Sequence, residues 1–255
     1  MVPAPRCRPS GRLGLDTTKV HVHTSAPHPN RPIARARAVT FATAAAVLAG
    51  CLSLAHAPPA RAQADSVARC GDPSRNHFGP WDYRTARKED LRIVEEAHFT
   101  PRIEQLQALH GARVLSADMS YTLDVFPNHH RALMAITRLA ERDGTDKPQM
   151  SNHTIDCWYD RAVRFRPDDT VVRVLYAQYL GKRKLTDQAN DQLNVAVTHA
   201  KDNPFSHYNI GLMYFQLGNH EKALVQAHKA LELGLPKPDL SNLLKRDGKW
   251  REPTP

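Results

Sequence analysis

PFSHYNIGLMYFQLGNHEKALVQAHKALEL, residues 204–233, decides the fold of this 255-residue chain. Counted from Pro204, small residues fall at positions 8 (Gly211), 20 (Ala223) and 27 (Ala230), with Tyr214 at 11 and Gly218 at 15. Small side chains in that phase let two helices approach closely, and the larger one fills the space toward a neighbouring pair. One unit upstream, residues 170–203 make a segment of 34 with Ala177, Leu180, Ala189 and Ala196 at positions 8, 11, 20 and 27. Lys184 replaces the glycine at position 15 there, which leaves the shape of that turn open. Another step back, HRALMAITRLAERDG ends at Gly144, and IDCWYDRAVRFRP carries Tyr159 and Ala162 at positions 24 and 27. Six extra residues, 145–150, separate the two helices.

A 34-residue period with these residue types resembles the tetratricopeptide-repeat family. The resemblance implies an all-α fold, a right-handed α-solenoid of helical hairpins, acting as a binding scaffold rather than an enzyme. Repeats are expected at 130–169, 170–203 and 204–237, preceded by a degenerate one at 99–129. In the degenerate unit Thr100-Pro101 reads as a helix start continuing through RIEQLQALHG, and SADMSYTLDVFPN as a second helix closing at Pro127. DLSNLLKRDGKW after Pro238 groups Leu240, Leu243 and Leu244 and reads as the capping helix, 238–247, that an exposed solenoid end requires, with a tail at 248–255.

Residues 1–64 read as an N-terminal extension and export signal. An apolar, Ala-rich run at 39–57 follows Arg31, Arg35 and Arg37 and precedes small-residue sites at Ala55-His56-Ala57 and Ala62-Gln63-Ala64. Two processing routes fit: cleavage near Ala64, or acylation of Cys51 in Leu48-Ala49-Gly50-Cys51, which would tether the product to a membrane. Either route places the protein in the periplasm. The segment holds eight Lys or Arg and one Asp, so removing it leaves 27 basic and 25 acidic side chains and lowers the formal charge from +9 to +2. Nucleic-acid binding, which needs a sustained basic surface, is therefore not expected.

Cys70 and Cys157 remain in the exported product, and a pair left in an oxidising compartment is expected to form a disulfide. It would close a loop worth at most about 4–5 kcal/mol in chain entropy. Residues 65–98 read as an irregular strap whose Phe78, Trp81 and Tyr83 cover the open edge of the first helices. The combination of FGPWDYR, HFTPRIEQL and YTLDVFPNHHRAL resembles a group of exported proteobacterial repeat proteins, a likeness that implies export and adds no activity.

Catalytic and metal-binding patterns are weak. His129 and His130 are adjacent, so on a helix they point about 100° apart, and nothing completes a ligand set. No metal or cofactor is expected. Function is expected on the concave surface of the first helices of the repeats, through Arg131, Met134, Arg138, Arg142, Gln178, Lys182, Phe205, Tyr208, Leu212 and Phe215. Graded from basic to aromatic, that surface suits a peptide segment of an envelope protein with an acidic end and an apolar anchor. The alternative is a carbohydrate- or small-ligand-binding module using Trp81, Tyr83 and the aromatic end of the groove.

Overall fold

The computed structural model describes residues 59–107 and 112–253. The export run at 39–57 and Cys51 lie outside them. Every regular element among the described residues is a helix: α1 (Pro59–Cys70), α2 (Lys88–His98), α3 (Pro101–Glu104), α4 (Ala112–Val125), α5 (His130–Asp143), α6 (Ile155–Phe165), α7 (Thr170–Lys182), α8 (Thr186–Ala200), α9 (Pro204–Gln216), α10 (His220–Glu232) and α11 (Asp239–Arg246). None of these helices is long and apolar enough to cross a membrane. The pairs α5/α6, α7/α8 and α9/α10 are the three expected hairpins, stacked as an α-solenoid with α11 at its end.

Polar residues at the helix starts explain where the hairpins begin. The side chains of His129, Thr154, Asp169, Asn203 and Asn219 accept hydrogen bonds from main-chain N–H groups in the first turns of α5, α6, α7, α9 and α10. Each satisfies donors that a helix terminus otherwise leaves unpaired.

Lys184 and Gly218 build the same turn. Lys184 takes φ 62° and Gly218 φ 79°. In one turn Lys184 N–H donates to Gly181 O and Leu185 N–H to Leu180 O; in the other Gly218 N–H donates to Phe215 O and Asn219 N–H to Tyr214 O. Repeat packing thus imposes the left-handed conformation on a lysine, at a cost that glycine avoids.

One apolar core runs the length of the stack, from Phe99 and Leu115 to Leu240 and Leu244. The small positions are the close-approach points: a Cβ at Gly211 would meet Leu240 Cδ2 at 2.5 Å and Gln226 Cβ at 3.1 Å. The glycine therefore admits the capping helix as well as its own hairpin partner. Between the first two repeats, the rings of Tyr159 and Tyr176 stack at 5.1 Å, and Tyr159 shares a hydrogen bond with Thr137.

The N-terminal region departs from expectation in three ways. The segment 65–98 is irregular only between α1 and α2, because its two ends have helical surfaces to bury: α1 packs on α6, and α2 on α4. The boundary expected at 64–65 falls inside α1, whose Ser66 donates to Asp160 and whose Arg69 pairs with Asp156. The helix expected from Pro101 onward stops at Glu104, since Leu106 enters the left-handed region at φ 61°.

The aromatics of the strap pack inward. Trp81 lies edge-on to Phe78 and tilted against Phe126, and Tyr83 covers the ring of His129 at 4.1 Å. Cys70 and Cys157 form the disulfide, their Cα atoms 5.0 Å apart across a separation of 87 residues. Buried Arg161 donates to Cys70 O and Asp124, and His153 packs edge-on against Trp158.

Two predictions follow from these environments. Lys184→Gly relieves the left-handed lysine on an exposed turn and should stabilise the protein by about 1 kcal/mol, read from urea unfolding; destabilisation would show that the lysine is not held in that conformation. Burial, reinforced by the nearby cations of Arg161, Lys147 and Arg164, lowers the His153 imidazole to about 4. Burial lowers His129 as well, outweighing the opposing effect of Glu95. Folded values below the unfolded 6.5 mean that both contributions are complete above pH 6.5 and are lost as pH falls below it, that of His153 over the range down to about 4. The unfolding midpoint should drop between pH 7 and pH 5, and drop less in His153→Gln; an unchanged drop would exclude His153 as a source.

Candidate functional site

The first helices of the repeats, α5, α7 and α9, stand side by side, and two clefts run along the face they share. The larger, about 370 Å³, lies between α7 and α9. Its α9 wall includes Phe205, Asn209, Leu212 and Gln216, spaced four, three and four residues apart and so on one helical face. Val171, Val174, Leu175 and Gln178 form the α7 wall. None of its lining residues is charged. The smaller cleft, about 180 Å³, lies between α5 and α7 and includes Met134, Arg138, Glu141, Gln178 and Lys182. Leu175 and Gln178 line both, so the two join into one trough.

Two properties suit the larger cleft to binding. Phe205 and Val171 expose 55% and 41% of their surface, leaving apolar area that nothing in the described chain covers. The exposed amides of Gln178, Asn209 and Gln216 have no hydrogen-bond partner among the described residues. An amide offers a donor and an acceptor together, the pair that matches a peptide main chain.

The ten expected groove residues divide into three groups. Gln178, Phe205 and Leu212 line the larger cleft, and Met134, Arg138, Gln178 and Lys182 the smaller. Tyr208 and Phe215 face elsewhere. The Tyr208 ring is buried, its hydroxyl donates to Asp239 Oδ2 at 2.8 Å, and Lys237 lies over it. It therefore belongs to the contact between α9 and α11; burial, with Asp239 as a second cause, pushes its hydroxyl up to about 12. Phe215 packs partly into the core near His220. Arg131 and Arg142 line neither cleft. Asn209 was absent from the expected positions, although its place one helical turn after Phe205 points to it.

The basic end of the groove is partly neutralised from within. Arg131 forks onto Glu104, with Nε to Oε1 at 2.8 Å, and its Nη1 reaches Glu95 Oε1 at 3.1 Å. Arg131 holds the Glu104 carboxyl below the ordinary range, and a hydrogen bond from His129 does the same for Glu95. Lys182 pairs with Glu141 at 2.7 Å. The larger cleft is thus the uncharged part of the trough, and Arg131 is already paired within the chain.

The aromatic strap offers little to a sugar, because Trp81 and Tyr83 have rings packed against them. Among the described residues no group of His, Cys, Asp and Glu is placed to hold a metal ion. His129 is committed to the α5 cap through Nδ1 and to Glu95 through Nε2, and His130 to Asp169.

The tetratricopeptide repeat family model matches residues 204–233, the repeat quoted at the outset. A search of curated proteins found no match. Together, the family match and the stacked hairpins identify a tetratricopeptide-repeat fold, a type that typically serves as a protein-interaction module rather than a catalyst.

Proposed function

We propose that this tetratricopeptide-repeat protein is an exported, periplasmic adaptor that binds an extended segment of an envelope protein in the trough across α5, α7 and α9. The uncharged cleft between α7 and α9 carries the reading: exposed Phe205 and Val171 supply apolar anchorage, and the unpartnered amides of Gln178, Asn209 and Gln216 match a peptide main chain. Export is supported by the Ala-rich run at 39–57 behind three arginines and by the Cys70–Cys157 bridge, which persists in oxidising compartments. Cys51 supplies a second route, a lipid anchor on the same side of the membrane.

The test is photo-crosslinking in intact cells from a probe at Phe205, with a control probe at Val225, an exposed α10 residue outside the cleft. One envelope protein should be captured from position 205 and not from 225, and lost when Gln178→Ala and Asn209→Ala are combined. Equal capture from both positions, or capture insensitive to those changes, would contradict the groove as the binding site.

A further inference from the structure

Three arginines on one face of α5 hold a single short run of the chain. Arg131, Arg138 and Arg142 are seven and four residues apart, close to two turns and one turn of the helix. Arg131 binds the Glu104 carboxylate through two nitrogens. Arg138 Nη2 donates to the main-chain oxygen of Glu104 at 3.0 Å, and Arg142 Nη1 reaches that of Leu106 at 3.5 Å. A forked grip on a carboxylate and donation to alternate carbonyls are the means by which a helix face would hold an acidic peptide from another protein.

The apolar anchoring of this run is partial. Ile103 and Leu106 are half-buried against the core, while Arg102, Gln105 and Gln107 are exposed. The run also borders the trough, because Arg138 lines the smaller cleft and binds Glu104.

We propose that residues 101–107 are an intramolecular occupant of the arginine face of α5 that borders the trough, and that the partner displaces them with an acidic residue flanked by aliphatic ones. The inference rests on the trough being the partner site. Neighbouring helices lie about 8–10 Å apart, and an extended chain advances about 3.4 Å per residue. A segment anchored between α7 and α9 therefore reaches the arginines of α5 about four residues later, which sets the spacing of apolar anchor and acid in the partner.

A fluorescein-labelled peptide of residues 99–107, FTPRIEQLQ, tests this on the full mature chain. Ile103→Ser combined with Glu104→Ala loosens the internal copy. Fluorescence anisotropy should show saturable binding to that variant, about tenfold or more tighter than to the unaltered chain. Binding should be lost when Arg138→Glu is added, or when the peptide carries Glu104→Gln. Equal affinity for both chains, or no binding to a variant that melts like the unaltered protein, would overturn the proposal. If the variant does not fold, hydrogen exchange of the unaltered chain decides. Amides of 103–107 opening independently of global unfolding support displacement, and exchange only through global unfolding refutes it. Crosslinking from Phe205 does not involve the arginines, so the two readings fail separately.

Discussion

The side chain of Asn128 joins three parts of the molecule that sequence separates. Its Oδ1 accepts from Tyr83 N–H at 2.9 Å, and its Nδ2 donates to Asp82 at 2.8 Å and to Asp169 at 2.9 Å. Asp169 caps α7 and accepts from His130, and Asp82 accepts from Arg84 and Arg166. Asn128 and Asp169 are buried to within 1%. Burial alone would raise both carboxyls; bonds from Arg84, Asn128 and Arg166 hold Asp82 far below the ordinary range, and those from His130 and Asn128 hold Asp169 below it. Fully satisfied, such a network fixes one arrangement of its segments; half satisfied, it would be costly. Strap, α4–α5 turn and α6–α7 turn are in register because this amide, itself in the α4–α5 turn, has partners in the other two.

A stack of hairpins has two exposed ends, and this chain closes them differently. At the C-terminal end, Leu240 and Leu244 of α11 enter the core, Leu240 through space that Gly211 leaves open. At the N-terminal end the cover is composite: α2 and α4 with the strap aromatics, α1 on the back of α6, and the Cys70–Cys157 bridge. Polar fixation by Asn128 and covalent fixation by the disulfide act on opposite ends of the strap. Neither end structure covers the trough, the face proposed to take a partner segment.

The repeats were legible because close packing restricts residue types at fixed phase: Gly211, Ala223 and Ala230, and their counterparts Ala177, Ala189 and Ala196, mark both hairpins. The capping helix was legible from Leu240 and Leu244. Lys184 obscured a turn that proves identical to its neighbour, because propensity at one position is weaker than the packing of two helices. Long-range contacts were less accessible. Tyr208 and Asn209 are adjacent, and only the position of α11 decides that the tyrosine is core and the amide is groove. The arginine row on α5 read as a free basic surface because Glu95 and Glu104, its partners, come from a region whose helix boundaries depend on a left-handed residue at Leu106 that no local signal announces.

Equilibrium unfolding of Asn128→Leu, which keeps the volume and removes the three hydrogen bonds, tests the central claim most directly. Two buried carboxylates and the Tyr83 N–H would each lose a partner, so a loss of at least about 2 kcal/mol is expected. A stability within about 0.5 kcal/mol of the unaltered protein would mean that the strap and the repeats are held in register by something other than this amide.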